Sequence, residues 1–236
     1  MAIPLPQDAG QTPNPWLMEQ TLVFLGFELQ WTERIADLEM NTRLAESWET
    51  DFLTWEMDDR EVILANAELG YYVDLEDGLA SFRVESEQAL VRAMTHIRQL
   101  ARTLEEADRE GREMTAEAQY LKAVEDESRD SLVQRLSRRV LNRSFDESLG
   151  MSITDFAYLA DFEWQGRHVQ LSIGALNEDE VADRVASIKA RENPPKISVF
   201  SSVTFGATGD PSHEECERVL LDLIECGQAV ARELQV

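Results

Sequence analysis

Tyr71-Tyr-Val-Asp-Leu-Glu-Asp-Gly-Leu-Ala-Ser-Phe-Arg-Val84 is the stretch that decides the fold. Apolar residues recur at every second position on either side of Asp77-Gly78, and Asp-Gly between alternating hydrophobics is among the strongest short hairpin signals. Immediately afterwards the period changes. Leu90, Met94, Ile97, Ala101 and Leu104 fall four, three, four and three apart, which places them on one stripe of a helix opening at the N-cap Ser86. Hairpins closed by amphipathic helices predict an α+β fold of small antiparallel sheets packed with helices.

Upstream, Trp55-Glu-Met-Asp-Asp-Arg-Glu-Val-Ile-Leu64 predicts a second hairpin turning at Asp58-Asp59. The stretch from Leu22 to Trp48 is apolar enough for a strand at its start and compatible with either period later, so it stays undecided. Residues 1–15, with Pro4, Pro6, Pro13, Pro15 and Gly10, form a loose leader. Downstream, Gly111 interrupts the chain. A helical stretch is then expected from about Met114 to Leu141 through Leu121, Val124, Leu132, Leu136 and Val140, spanning about 40 Å if unbroken. Strand patterning resumes at Phe156–Trp164 and Arg167–Ile173 around Gln165-Gly166. A short helix fits Glu178–Arg191, Pro194-Pro195 stops it, and Ile197–Phe205 has the pattern of a strand. Ser212 opens the last helix, with Glu215 completing a capping box.

Two segments share more than a hairpin pattern. At an offset of 107, Glu56, Arg60, Val62, Leu64 and Leu69 match Glu163, Arg167, Val169, Leu171 and Leu176, and the helices beginning at Ser86 and Ser212 also correspond. The expected organisation is therefore a leader (1–15), a first α+β lobe (16–110), a helical connector (111–148) and a second α+β lobe (149–236). Asn66 to Val84 with the helix from Ser86, about residues 66–106, resembles the C-terminal part of the YbjN and type III secretion-chaperone-like fold. That resemblance implies a small acidic α+β protein that acts by binding other proteins, and it carries over no functional residue.

Charge is unevenly placed. The formal net charge is −24, with 19 Asp/Glu against four Arg in residues 1–91, ten against 11 Lys/Arg in 92–143, and 17 against seven in 144–236. Five Trp, nine Phe and 43% hydrophobic residues mark a folded chain with an acidic surface rather than an acidic tail. Such a surface repels nucleic-acid backbones and anionic membranes, so direct binding to either is not expected. The first residues have no secretory pattern, no apolar run approaches a membrane span, and Cys216 and Cys226 fall on different faces of a helix, so a cytoplasmic setting is expected.

No catalytic or cofactor motif stands out, and no cofactor is expected. The best metal-like cluster, His213-Glu214-Glu215-Cys216, is better explained as first-turn residues at a helix N-terminus. Paired acids in turns, Asp58, Asp59, Glu76 and Asp77 in the first half and Glu178, Asp179 and Glu180 in the second, are candidates for contacting a partner. Arg135, Arg138, Arg139 and Arg143 form the one basic stripe, suited to the chain's own acidic lobes or to a homodimer through the helical segment. The expectation is a non-enzymatic chaperone, adaptor or immunity-type module for a basic or partly unfolded protein. Two alternatives stand beside it: an acidic mimic of nucleic acid that blocks a DNA- or RNA-binding protein, and an enzyme whose site is assembled from residues such as Asp161, Glu163 and His168.

Overall fold

The computed structural model describes residues 21–32, 37–124, 128–140, 155–184 and 195–233. Its strands are β1 (Thr21–Gln30), β2 (Thr54–Met57), β3 (Glu61–Asn66), β4 (Tyr71–Glu76), β5 (Leu79–Val84), β6 (Glu113–Ala123), β7 (Ala157–Trp164), β8 (Arg167–Asn177) and β9 (Ile197–Ala207). Its helices are α1 (Asp37–Trp48), α2 (Glu87–Glu106), α3 (Arg129–Val140), α4 (Glu178–Arg184) and α5 (His213–Glu233), with a 3-10 turn at Glu49–Asp51. All nine strands join in one sheet of order β2-β3-β4-β5-β1-β6-β9-β8-β7, with every neighbouring pair antiparallel. The α+β class holds, but the small separate sheets expected from the hairpins are one large one.

Register explains why a single sheet forms. Residues directly opposite share a face, and one row of partners crosses all nine strands: Trp55, Leu64, Val73, Phe82, Phe27, Ala116, Phe205, Val169 and Phe162. Within that row Leu64 to Val169 are buried, and Trp55 and Phe162 pack against them from the two edges. Helices α1, α2, α3 and α5 all cover this face. Small Ala116 and Ala118 on central β6 leave room for α5, whose Gly227 lies where an added Cβ would stand 2.3 Å from the Tyr120 ring. Aromatic and aliphatic side chains buried this way contribute about 1.5–3 kcal/mol each.

Strand β6 corrects the expected helix from Met114 to Leu141. Among the described residues of that stretch only α3 is helical; Glu113–Ala123 is a central strand, so the connector at 111–148 is not a helical rod. Met114, Ala116, Ala118 and Tyr120 are buried and alternate with more exposed Glu113, Thr115, Glu117 and Gln119. Ala, Glu, Gln and Met favour helices intrinsically, but burial between β1 and β9 overrides that weak preference. The undecided region from Leu22 divides into β1 and α1. Buried Asp37 at the start of α1 pairs with the Arg109 guanidinium at 2.5 Å and accepts from Trp31 Nε1 at 3.0 Å, which ties the corner after α2 to the entry of α1.

The two halves share an element order. Each runs strand, helix, antiparallel meander, helix, with α4 inserted between β8 and β9 of the second, and the leading strands β1 and β6 pair at the centre. Sheet position matches β3–β4 with β7–β8, one strand later than the offset of 107, which had aligned β2–β3 with β7–β8. Both closing helices are capped by serine as expected: Ser86 Oγ accepts from Ala89 N at 3.3 Å and Ser212 Oγ from Glu215 N at 3.2 Å. Residues 1–15 lie outside the described residues. Among those described, no helix is long and apolar enough to cross a membrane.

Candidate acidic sheet face

Four helices cover one face of the sheet, and alternation sends the intervening side chains to the other. On that second face α4 covers only one corner, where Val181 packs with Val23, Leu121, Leu176 and Phe200. The rest presents Glu56, Glu61, Asp74 and Glu76 from β2 to β4, Glu28 from β1, Glu113 and Glu117 from β6, and Asp161 and Glu163 from β7, with Arg83 of β5 the arginine among them. Arg83 is itself engaged by Glu85 and lies over the Tyr72 ring at 5.6 Å.

The acid is densest across β3 and β4. Glu61 and Glu76 are direct cross-strand partners, and Asp74 follows on the same face of β4. One carboxylate oxygen from each of the three lies within 4.8 Å of the others. Among the described residues none of the three has an ion-pair partner, and Asp74 Oδ1 is buried without a hydrogen bond. Burial and the charges of Glu76 and Glu61 push the Asp74 carboxyl up to about 6. Like charges directly opposite on a sheet are destabilising, so β3 and β4 hold together through Val62, Leu64, Val73 and Leu75 on the helix face despite this repulsion.

Of the residues singled out from sequence, the first acidic group does converge. Asp58, Asp59, Glu76 and Asp77 all sit at the end of the sheet where β3 begins and β4 ends. Asp58 also builds its own turn, accepting the N–H groups of Arg60 (2.7 Å) and Glu61 (3.1 Å). Glu178, Asp179 and Glu180 do not join them, because they follow β8 at the opposite end of the strands. There Glu180 is a capping residue: it accepts from Asn177 N at 2.8 Å while its own N–H donates to Asn177 Oδ1 at 3.0 Å. Arg135, Arg138 and Arg139 lie on α3, whose Leu132, Val133 and Leu136 pack on the sheet; Arg143 lies outside the described residues. Glu61 and Asp74 were missed. Each alternates with core residues of its strand, which places it outward, but their convergence requires the register.

Asp161, Glu163 and His168 meet on the β7–β8 hairpin. His168 Nε2 is 3.5 Å from Asp161 Oδ1, with both side chains about two-thirds exposed. Acid/base catalysis uses carboxylates in unlike environments, whereas these two acids share an open, solvated strand face. His213 also finds one partner that its sequence neighbours did not announce. Glu105, at the end of α2, accepts from His213 N at 3.2 Å and contacts Nδ1 at 2.6 Å, while Glu214 stands 3.1 Å from Nε2. The carboxylate of one closing helix thereby caps the other, as its charge at a helix N-terminus favours.

No family model and no curated protein matches this chain. A groove of about 500 Å3 between α1 and α2 is lined by Ser47 and Gln99, and Gln99 Nε2 donates to Ser47 Oγ at 3.2 Å while its Oε1 accepts from Trp48 Nε1 at 2.8 Å. Cys216 and Cys226 are unbonded and buried in α5; burial pushes their thiols up to about 12 and about 11, which disfavours the reactive thiolate. Tyr71, His96 and Asp51 form a chain at 2.9 and 3.1 Å in which His96 stacks on Trp48. Tyr71 and His96 are buried, so this chain fastens α2 to the 3-10 turn inside the core. The acidic sheet face is the feature that remains.

Proposed function

We propose that this chain is a non-enzymatic module that binds a basic or partly unfolded protein on the acidic face of its sheet. The observation that carries the reading is the trio Glu61, Asp74 and Glu76, whose carboxylates crowd together with no ion pair to a described lysine or arginine, on a face that the described helices leave open. A lysine or arginine from a partner would relieve that repulsion, so part of the binding energy is stored in the free protein. The wider face adds long-range attraction, which raises the association rate at low salt. The resemblance of residues 66–106 to a protein-binding family points the same way.

The test is titration of the chain against a basic model protein, lysozyme, at low and high ionic strength by calorimetry. Binding should weaken steeply with salt, and the combined Glu61→Gln, Asp74→Asn, Glu76→Gln variant should bind at least about tenfold more weakly, since each desolvated charge contact is worth on the order of 1 kcal/mol. Equal binding by the variant would remove the trio from the interface. No binding at low salt would end the proposal.

A further inference from the structure

Strand β7 closes one edge of the sheet with eight residues, Ala157-Tyr-Leu-Ala-Asp-Phe-Glu-Trp164. It pairs with β8 in unbroken register, and no described strand lies along its outer side. The other edge, β2, has four residues. An open strand edge presents a row of unpaired N–H and C=O groups, and proteins usually blunt a long one with proline, a bulge, charged side chains or a short length. Strand β7 has no proline, bulge or lysine, its only charges are the carboxylates Asp161 and Glu163, and its Leu159 is 77% exposed.

Its two faces differ in chemistry. Exposed Asp161 and Glu163 extend the acidic face to the edge, while Tyr158, Phe162 and Trp164 are half-buried on the helix side. A second copy of the chain is a poor occupant, because each copy carries a net charge of −24 and the same carboxylates along this strand. We infer that β7 docks an extended partner segment in which basic and apolar residues alternate, added as a tenth strand. This rests on the proposal that the partner is basic. The period of two would turn basic residues toward Asp161 and Glu163 and apolar ones toward Phe162 and Trp164. Main-chain hydrogen bonds would supply affinity and the alternating side chains specificity.

The test uses the full chain and two probes: a peptide of alternating lysine and valine as long as β7, and the same peptide N-methylated throughout, which keeps its charge and side chains but loses its backbone donors. Affinity is measured by calorimetry and amide exchange of residues 157–164 by NMR. The unmethylated peptide should bind at least about tenfold more tightly than the methylated one and slow exchange along β7. Replacing Asp161→Asn and Glu163→Gln, both exposed and outside the core, should weaken it about fivefold or more. If both peptides bind equally and β7 exchange is unchanged, the docking edge is wrong while the basic-partner proposal survives. If neither binds at low salt, both fail.

Discussion

Asp74→Asn should stabilise the protein, and only above the pH at which Asp74 ionises. The carboxyl rises from its ordinary 3.8 to about 6 because burial and the charges of Glu76 and Glu61 oppose its ionisation. Below about 3.8 it is protonated folded or unfolded, so the favourable balance is complete there; as pH rises through about 6 the folded state is forced to ionise it and that stability is lost. Full conversion at about 1.4 kcal/mol per tenfold change in proton affinity gives about 3 kcal/mol. The side chain keeps contact with water, which screens the repulsion, so about 1 kcal/mol is expected. Asparagine is nearly isosteric with the protonated acid and removes the penalty. Urea unfolding at pH 7.5 should therefore show a gain of about 1 kcal/mol for the variant, and at pH 4 the two curves should nearly coincide. Asp59→Asn, in the exposed turn nearby, should change stability by less than about 0.5 kcal/mol at either pH. A gain of equal size at both pH values, or none at pH 7.5, would refute the argument that crowded carboxylates strain this face.

Three further outcomes follow from the packing. Gly227→Ala drives a methyl group into the Tyr120 ring and should cost about 1–3 kcal/mol in chemical denaturation; a neutral result would mean that α5 sits farther from β6. Ser86→Ala should cost more than Ser212→Ala, about 1 kcal/mol for a lost cap alone, because Ser86 Oγ also donates to Leu69 O at 2.6 Å; thermal melts giving the reverse order would contradict the assignment. Burial holds His96 below its ordinary 6.5, so its contribution is present above pH 6.5 and is lost as pH falls below it. In an Asp74→Asn background, which removes the opposing titration, adding His96→Gln should flatten the stability profile between pH 6.5 and 5, and an unchanged slope would show that another group controls it.

Legibility followed the range of the forces involved. The hairpins at Asp58-Asp59, Asp77-Gly78 and Gln165-Gly166 and the serine-capped helices were visible because turn and cap chemistry is settled within a few residues. Strand β1 stayed undecided because Leu22, Val23, Phe24 and Leu25 form a continuous apolar run, and the register shift between Leu22 and Phe24 breaks the period of two. Strand β6 has the composition of a helix, because its alanines and glutamates carry a helical preference, although Met114, Ala116, Ala118 and Tyr120 do alternate. One of the three acids of the site, Glu76, was legible together with the neighbouring turn acids as charge beside a turn. Glu61 and Asp74 were not, since an outward acid on a strand looks like any solvated one until its neighbour across the ladder is known.

The sequence by itself determined the α+β class, most of the strands, the ends of the closing helices and the strongly acidic balance of the two outer segments. Tertiary structure alone decided that the strands of both halves make one sheet, that β1 and β6 meet at its centre, that Glu180 caps a helix rather than joining the acidic group, and that β7 is the last of the described strands at one edge. The physical reason is that turns, caps and alternation act between neighbours in the chain. Strand order and the meeting of carboxylates depend instead on which apolar faces can be buried together across the whole molecule.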